Sequence, residues 1–393
     1  MPKHILIEMQ QHIGSPCRPL VRIGERVKKG QPIASYDTVN IHSSVYGEIV
    51  EIRKEAVKII PDTYQPEEYV KIKETNSYLE AVKEAGVVGA GGAGFPTHIK
   101  LNTNLENGCI IMNAAECEPL FGHNIHMVEE QADMLIRGIK YCMEITKAKK
   151  GYIAIKPKHK KALIAIAKAC KNESIIEIKY LPDRYPVGDE KVIIRELLGV
   201  TLKPGQLPGE VNALVANVET IKRITEAIEL RKPVISKDFT IGGRLKNTKG
   251  GYSKVYLDQP IGMPIKKYID DCGGYLEPYG EILLGGPFTG AVGNEESVVS
   301  KTLGGIFVAM PFPAARKNFG ILACECGAED TRLKEIVKEM GGTVVAEAKC
   351  KRMVEVSGRY RCEEPGNCPG QAEAILKLRA EGAEALMIGA CED

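Results

Sequence analysis

The residues with the clearest chemical use form one glycine-rich stretch, which reads GAGGAGFPTHIK from Gly89 to Lys100. Glycine lets the backbone adopt positive φ and lets a ligand approach without a Cβ in the way. A glycine-rich turn that leads into a helix points several N–H groups at an anion, and Lys100 could add a full positive charge. By spacing alone, the stretch fits a phosphate-binding loop about as well as it fits a flexible turn or a tight packing contact. Its glycines are Gly89, Gly91, Gly92 and Gly94.

The second set of reactive side chains is a group of cysteines near the end of the chain. Six of the twelve cysteines follow residue 320: Cys324, Cys326, Cys350, Cys362, Cys368 and Cys391. Thiolates bind iron–sulfur clusters or zinc, and thiols also act as redox groups. Four of the six fall at the predicted carboxyl ends of strands, the edge where ligands bind in open α/β sheets. These four candidate ligands are Cys324, Cys326, Cys350 and Cys391.

Composition limits the classes of function that the chain can have. The apolar content of 44% and the charged content of 26% are typical of a soluble globular protein. A net charge of +2 and the absence of Trp argue against nucleic acid as a partner. No apolar run approaches the roughly 20 residues that span a bilayer, and no signal-peptide core begins the chain. We therefore expect a cytoplasmic protein. In the cytoplasm, cysteines are more often metal ligands or redox thiols than parts of structural disulfides.

The elements that must position these groups are predicted from the pattern of apolar residues. Residues 76–230 alternate helical and strand patterns, which is typical of helices packed over a mainly parallel sheet. Residues 1–75 look rich in short strands, and residues 231–318 show further strand signals. Residues 319–393 predict a small β-α-β-α-β unit. The predicted fold is an α/β multidomain protein with boundaries at those positions.

The glycine stretch and three later motifs together resemble one family. The pattern G-x-G-G-A-G-F-P-T-x-x-K, complete here, is similar to the flavin loop of the 51 kDa NADH-oxidising subunit of respiratory complex I. The same loop occurs in the RnfC subunit of ion-pumping ferredoxin:NAD oxidoreductases. The family's other motifs follow in its order, with Asp189 as a conservative change: Asn113–Pro119, Tyr185–Glu190 and Val215–Thr220.

The resemblance implies an FMN site whose loop wraps the phosphate and the flavin ring. Glu118 would be the catalytic residue, because a carboxylate there can accept a hydrogen bond from the nicotinamide amide and hold it over the flavin. Without the resemblance, Glu116 and Glu118 would be interpreted as a solvated carboxylate pair. The implied FMN-binding residues are Gly89, Gly91, Gly92, Gly94, Phe95, Lys100, Asn113, Glu116, Tyr185, Gly188, Glu190, Asn217 and Thr220.

Two flanking regions also resemble parts of this family. Residues 1–75 resemble a lipoyl-type barrel-sandwich hybrid, with which RnfC begins. The hairpin tip at residues 36–40 has no lysine to modify, so we expect a structural or partner-binding domain rather than a swinging arm. Residues 231–318 resemble the β-grasp-like (SLBB) domain and its connector. The family's L-G-G-P-x-x-G pattern, at residues 284–290, is expected to buttress the flavin domain.

The tail departs from RnfC, because the cubane-cluster motif C-x-x-C-x-x-C-x-x-x-C-P does not follow residue 318. Its layout resembles the small iron–sulfur subunit of methanogen hydrogenase–heterodisulfide reductase complexes, which implies a [2Fe–2S] cluster. A redox dithiol, structural zinc and idle thiols stay open as alternatives. Cys362 and Cys368 could be extra ligands, a regulatory pair or neither. The body and tail together resemble the PrdC group of electron-transfer proteins associated with clostridial D-proline reductase.

The sequence therefore predicts an NADH-dependent oxidoreductase, an electron-transfer flavoprotein within a larger system. Electrons would pass from NADH through FMN to the tail cysteines and on to a partner reductase, such as proline reductase. Two alternatives are a non-catalytic adaptor that has lost the flavin and a flavoprotein that accepts electrons from ferredoxin. The oligomeric state, a homo-oligomer included, stays open.

Overall fold

The computed structural model describes residues 2–37, 39–248 and 253–389 of the chain. Over these ranges it confirms a mixed α/β architecture. The N-terminal strands form two antiparallel sheets, with the orders β1-β7-β6-β3 and β2-β4-β5. Thr38, at the predicted hairpin tip, lies outside the described residues. The strands are β1 (Ile5–Glu8), β2 (Arg18–Pro19), β3 (Arg26–Val27), β4 (Pro32–Tyr36), β5 (Val39–His42), β6 (Gly47–Ile52) and β7 (Ala56–Pro61).

The central region is a parallel sheet, with the order β10-β9-β8-β11, covered on both faces. Ile110 and Met112 of β8 pack into one apolar cluster and Cys109 and Ile111 into another. A strand covered on both faces reads as a continuous apolar run. The elements are α1 (Tyr78–Glu84), α2 (Thr97–Leu101), β8 (Cys109–Ala114), α3 (His123–Thr146), β9 (Lys150–Ile155), α4 (Lys160–Ala169), β10 (Ile176–Tyr180), α5 (Glu190–Leu198), a 3-10 turn (Pro208–Val211), β11 (Ala213–Asn217) and α6 (Val218–Glu229).

The third region is a mixed sheet with the order β13-β12-β16-β14-β15. One continuous apolar cluster joins this sheet to the N-terminal strands, since Ile5 and Ile33 share it with Phe239 and Ile306. The two regions are therefore packed as one body beside the parallel sheet. The elements are β12 (Ser236–Gly243), β13 (Lys254–Pro260), α7 (Ile265–Asp271), β14 (Ile282–Leu284), β15 (Ala291–Gly293) and β16 (Gly305–Val308).

The tail forms a small parallel sheet with the order β18-β17-β21, around Leu322, Ala346 and Leu378. A hairpin of β19 and β20, absent from the sequence prediction, extends from it and ends at Cys362. The elements are β17 (Asn318–Ala323), α8 (Asp330–Glu339), β18 (Thr343–Lys349), β19 (Met353–Val356), β20 (Arg359–Cys362), α9 (Ala372–Ala380) and β21 (Ala385–Ile388). No helix among the described residues is both long and apolar enough to cross a membrane.

Because two histidines are buried, we expect the fold to lose stability as the pH falls. Burial lowers the pKa of His42 and of His123 to about 3, whereas a histidine in the unfolded chain titrates near 6.5. Their contribution is complete above pH 6.5 and is lost as the pH falls from 6.5 towards 3, because the unfolded chain takes up the protons. We expect urea denaturation to give a free energy of unfolding about 2–3 kcal/mol lower at pH 5.5 than at pH 7.5.

Single substitutions separate the two histidines. His42→Gln and His123→Gln should each reduce this pH dependence by about 1 kcal/mol, because each removes one buried imidazole that takes up a proton only in the unfolded chain. The measurement is the difference in unfolding free energy between the two pH values for each variant. A wild-type free energy that is the same at both pH values would contradict the prediction.

Candidate functional site

The glycine loop is closed at its base by its own backbone and tied to α6 of the parallel-sheet region. The Gly89 N–H donates to the Phe95 carbonyl at 2.9 Å, which closes the base of the loop. The Ala90 N–H donates to the hydroxyl of Thr220 at 2.9 Å, which ties the loop to the first turn of α6. Thr220, which the resemblance assigns to flavin binding, therefore also positions the loop itself.

The glycines of the loop are required for different reasons. A Cβ at Gly91 would lie 3.1 Å from Nδ2 of Asn217, so this backbone approaches the amide closely. Gly92 has φ of +149°, and a Cβ there would meet no atom within 4 Å. Gly94 has φ of +68°, and a Cβ there would lie only 2.8 Å from Cγ2 of Thr302. The loop is thus docked through Gly94 and open at Gly92, where a ligand could approach.

The N-terminal region contacts the loop from the other side. The Ile13 N–H donates to the Gly94 carbonyl at 3.2 Å. The Lys301 ammonium donates to the carbonyls of Asn40 and Gly86, at 2.9 and 2.7 Å. Burial lowers the pKa of Lys301 to about 8. Three regions of the chain therefore meet at the segment that precedes the loop.

Two asparagines lie side by side where their parallel strands end, because Asn113 and Asn217 are register partners in β8 and β11. Asn217 caps α6 by accepting from the Glu219 N–H at 2.8 Å, which leaves its Nδ2 beside the glycine loop. Asn113 donates to the Gly188 carbonyl at 2.9 Å and accepts from the Ala115 N–H at 3.0 Å. The structure brings both predicted residues to one edge, and Asn113 fixes the neighbouring loops.

Glu116 and Glu118 point to different partners. Glu116 accepts from Asn124 Nδ2 at 2.9 Å and from the Glu118 N–H at 3.2 Å, and burial raises its pKa. Glu118 is buried, and its Oε1 accepts from the Thr289 N–H at 3.0 Å and hydroxyl at 2.7 Å. Its Oε2 accepts from the Phe288 N–H at 3.2 Å. Sequence reasoning identified Glu118 but missed that the 284–290 turn holds its carboxylate.

The Tyr185–Glu190 segment connects the loop to the tail. Glu190 pairs with Lys100 at 3.2 Å. Gly188 packs so tightly that a Cβ would lie 2.8 Å from the Ala115 carbonyl oxygen. The Tyr185 hydroxyl donates to the Cys326 carbonyl, and burial raises the pKa of this phenol. The Tyr185 ring also packs edge-on against Phe288, with centroids 4.5 Å apart.

The tail cysteines gather around a cavity of about 150 Å³ that Tyr185 also lines. Cys324, Cys326 and Cys362 line this cavity together, and the Cys326 thiol is close enough to those of Cys324 and Cys362 to shift their pKa values. These interactions lower the pKa of Cys324 to about 6 and that of Cys362 to about 7, and they raise the pKa of Cys326. The cysteines at the cavity are Cys324, Cys326, Cys350, Cys362 and Cys368.

The predicted cluster ligands are only partly described, because Cys391 lies outside the described residues. The other three, Cys324, Cys326 and Cys350, all line the cavity. Among the described residues, no group of three or more His, Cys, Asp and Glu side chains is arranged as a metal site. Cys362 joins them through the β19–β20 hairpin, and cysteine spacing alone contains no signal for that return of the chain.

A buried network of ion pairs, also missed by sequence reasoning, lies behind the loop. Arg223 of α6 contacts Glu219 at 3.0 Å, Glu226 at 2.7 Å and Asp258 at 2.9 Å. The network ties α6, which carries Thr220, to β12 and β13. Its members are Glu219, Lys222, Arg223, Glu226, Lys232, Lys237, Asp238 and Asp258.

Comparison with known proteins gives two family matches. Residues 82–226 match the Nuo51 FMN-binding domain, and residues 1–70 match the RnfC barrel sandwich hybrid domain. The predicted N-terminal and FMN-binding folds are thereby confirmed. The glycine loop, the three later motifs and every predicted FMN-binding residue fall within residues 82–226, but the tail cysteines do not.

Three relatives illustrate the range of similarity. The C subunit of the Na⁺-translocating ferredoxin:NAD⁺ oxidoreductase complex of Acetobacterium woodii is 30% identical, over 74% of this chain and 69% of its own length. The C subunit of the proton-translocating ferredoxin:NAD⁺ oxidoreductase complex of Clostridium ljungdahlii is 34% identical, over 78% of this chain and 70% of its own length. The cobalamin reductase PduS of Citrobacter freundii is 37% identical, over 58% and 49%.

Proposed function

Since the chain belongs to the RnfC family of electron-transfer subunits of redox complexes, we propose that it oxidises NADH through bound FMN and passes the electrons to a partner reductase. The electrons would leave through the tail cysteines, which would either bind a cluster or act as a dithiol. The observation that carries the proposal is that Tyr185 joins the two sites. It belongs to the segment predicted to line the flavin cleft, and its hydroxyl donates to the Cys326 carbonyl.

The residues at the glycine loop fit FMN. Its phosphate requires N–H groups and a cation, and the loop is open at Gly92 while Glu190 holds Lys100 in place. The amide Nδ2 of Asn217 lies beside Gly91 and is a donor for a flavin oxygen. When bound, FMN supplies the hydride chemistry. The chain's own contribution is to keep the loop rigid through the Thr220 hydroxyl and to orient the substrate.

Glu118 would orient the nicotinamide through one remaining acceptor position. A carboxylate has about four lone-pair sites, and the 284–290 turn occupies three of them. The fourth, on Oε2, could accept from the nicotinamide amide. Glu118→Gln should raise the KM for NADH by about 10-fold, because the interaction lost is worth about 1–2 kcal/mol. Steady-state kinetics with an artificial electron acceptor measure KM and kcat separately.

Thr289→Val is the matched control for Glu118. It loosens the same turn by removing the hydroxyl that donates to Oε1 at 2.7 Å, but it leaves the carboxylate in place. We expect a small loss of stability with little change in KM. Equal rises in KM for both variants would show that Glu118 acts only by bracing the turn.

An absorption spectrum of anaerobically purified protein, recorded before and after NADH, tests the function itself. We expect a flavin spectrum that NADH bleaches. Protein that binds its partner without ever binding FMN would instead be an adaptor. Bleaching by reduced ferredoxin but not by NADH would identify ferredoxin as the donor.

The physiological setting is also part of the proposal. The resemblance of the whole layout to the PrdC group favours D-proline reductase as the partner. A chain with twelve cysteines suits the reducing cytoplasm. Co-purification with the reductase and NADH-dependent reduction of that partner would test the assignment.

A further inference from the structure

The thiols at the tail cavity are not equivalent. Cys326 is the shared neighbour, because it lines the cavity together with Cys324 and Cys362 and interacts with both of their thiols. Cys350 has a different partner, since its sulfur accepts from Gln371 Nε2 at 3.1 Å. Cys326 is partly exposed, whereas Cys362 is 7% exposed. Cys326 is therefore the more accessible residue of this pair.

Glu325 holds the two cysteine-bearing segments together. Its carboxylate accepts from the Cys362 N–H and, at 2.7 Å, from Arg361 Nη1. Lys191 of α5 lies 3.5 Å from the same carboxylate, which ties this junction to the FMN-binding region. Because Glu325 directly precedes Cys326, its contacts fix the end of the hairpin against the end of β17.

The opposite side of this junction is braced as well. The Tyr185 hydroxyl donates to the Cys326 carbonyl, and Arg195 Nη1 donates to the Pro365 carbonyl at 2.9 Å. Gly366 packs against the Pro186 ring, with 3.1 Å between a Cβ built there and Cδ. Backbone anchors thus hold Cys326 and Cys362 on the same cavity. A disulfide between them forms when the two sulfurs come to about 2 Å in the required dihedral geometry.

Resting on the proposed function, we propose that Cys326 and Cys362 form a redox-active dithiol whose acceptor is a disulfide of the partner protein. Two electrons and two protons from the flavin site break the Sγ–Sγ bond and give two thiols. Cys362 loses its own proton first and takes up the Cys326 thiol proton as the Cys326 sulfur attacks the acceptor disulfide, which forms a mixed disulfide and releases one acceptor thiol. Cys362 attacks Cys326 in turn, which releases the second acceptor thiol and restores the internal disulfide.

The test uses the full chain in dithiol redox buffers that span about −150 to −350 mV, the range of cellular couples. Thiols are trapped by alkylation, and linked peptides are identified by mass spectrometry. We expect a single two-electron couple and a peptide pair joined through Cys326 and Cys362. Cys350→Ser should retain the couple, whereas Cys326→Ser and Cys362→Ser should each abolish it. Absence of this linkage, or a linkage through Cys324 or Cys350 instead, would overturn the proposal.

Two further arms separate this inference from the proposed function. Dithiothreitol reduces a disulfide without any flavin. If dithiothreitol reduces the Cys326–Cys362 couple but NADH does not, the dithiol is retained and NADH is rejected as its donor. Bleaching of the flavin by NADH in a chain with no Cys326–Cys362 linkage would reject the dithiol alone. Stoichiometric iron and sulfide that are lost in both serine variants would replace the dithiol with a cluster.

Discussion

Gly92→Val is expected to yield a folded protein that no longer retains FMN. Gly92 has φ of +149°, and a Cβ there points into open space rather than into the protein. A valine side chain would therefore occupy the space in which the ligand must approach the loop. We expect FMN binding at least about 100-fold weaker, which corresponds to about 2.8 kcal/mol. Flavin content per chain and fluorescence titration of the apoprotein measure the loss.

Gly24→Val is the matched control. Gly24 has φ of +84°, and a Cβ there also meets no atom within 4 Å, but it lies among the N-terminal strands. Both substitutions place a side chain at a positive φ, with a backbone cost of about 1–3 kcal/mol each, so their unfolding free energies should fall by similar amounts. Only Gly92→Val should lose the flavin. Normal FMN affinity in Gly92→Val would refute the assignment of this loop.

Arg223→Ala is expected to destabilise the fold by about 3–5 kcal/mol, because it removes a buried cation and leaves the carboxylates of Glu219, Glu226, Asp238 and Asp258 with only Lys222, Lys232 and Lys237 to neutralise them. The Arg223 side chain is 4% exposed and contacts Glu219, Glu226 and Asp258. Nearby carboxylates hold the pKa of Arg223 well above its usual value, although burial opposes them. Urea denaturation measures the loss. Weaker FMN binding should accompany it, because Thr220 on the same helix anchors the loop.

Arg137→Ala provides the comparison for Arg223. Arg137 also pairs with a carboxylate of α6, Glu229 at 2.7 Å, but its side chain is 47% exposed. Solvent screens such a pair, so the loss should stay below about 1 kcal/mol. Similar losses for the two variants would mean that the buried network contributes no more than a surface ion pair.

Much of this architecture could be predicted from local sequence. The apolar run of β8 is typical of a strand covered on both faces, and Asn217 is a residue type that starts a helix. The order of the four family motifs indicated one flavin-binding domain, and the match over residues 82–226 confirms it. The roles of individual residues within that domain remain predictions.

Other features depend on contacts between distant parts of the chain. The turn that holds Glu118 lies at residues 284–290, and the hairpin that brings Cys362 to Cys326 was not predicted. The apolar cluster shared by Ile5 and Phe239 likewise joins two regions that the sequence presents as separate.

The sequence by itself determined the local elements, the family and the residues available for chemistry, because these follow from periodicity and from short motifs. Only the tertiary structure decided which residues meet. Glu118 with Thr289, Arg223 with Asp258 and Cys326 with Cys362 are each brought together by packing of separate segments. The type of a residue determines which interactions its side chain can make. Which partners that side chain meets depends on how the whole chain buries its apolar surface.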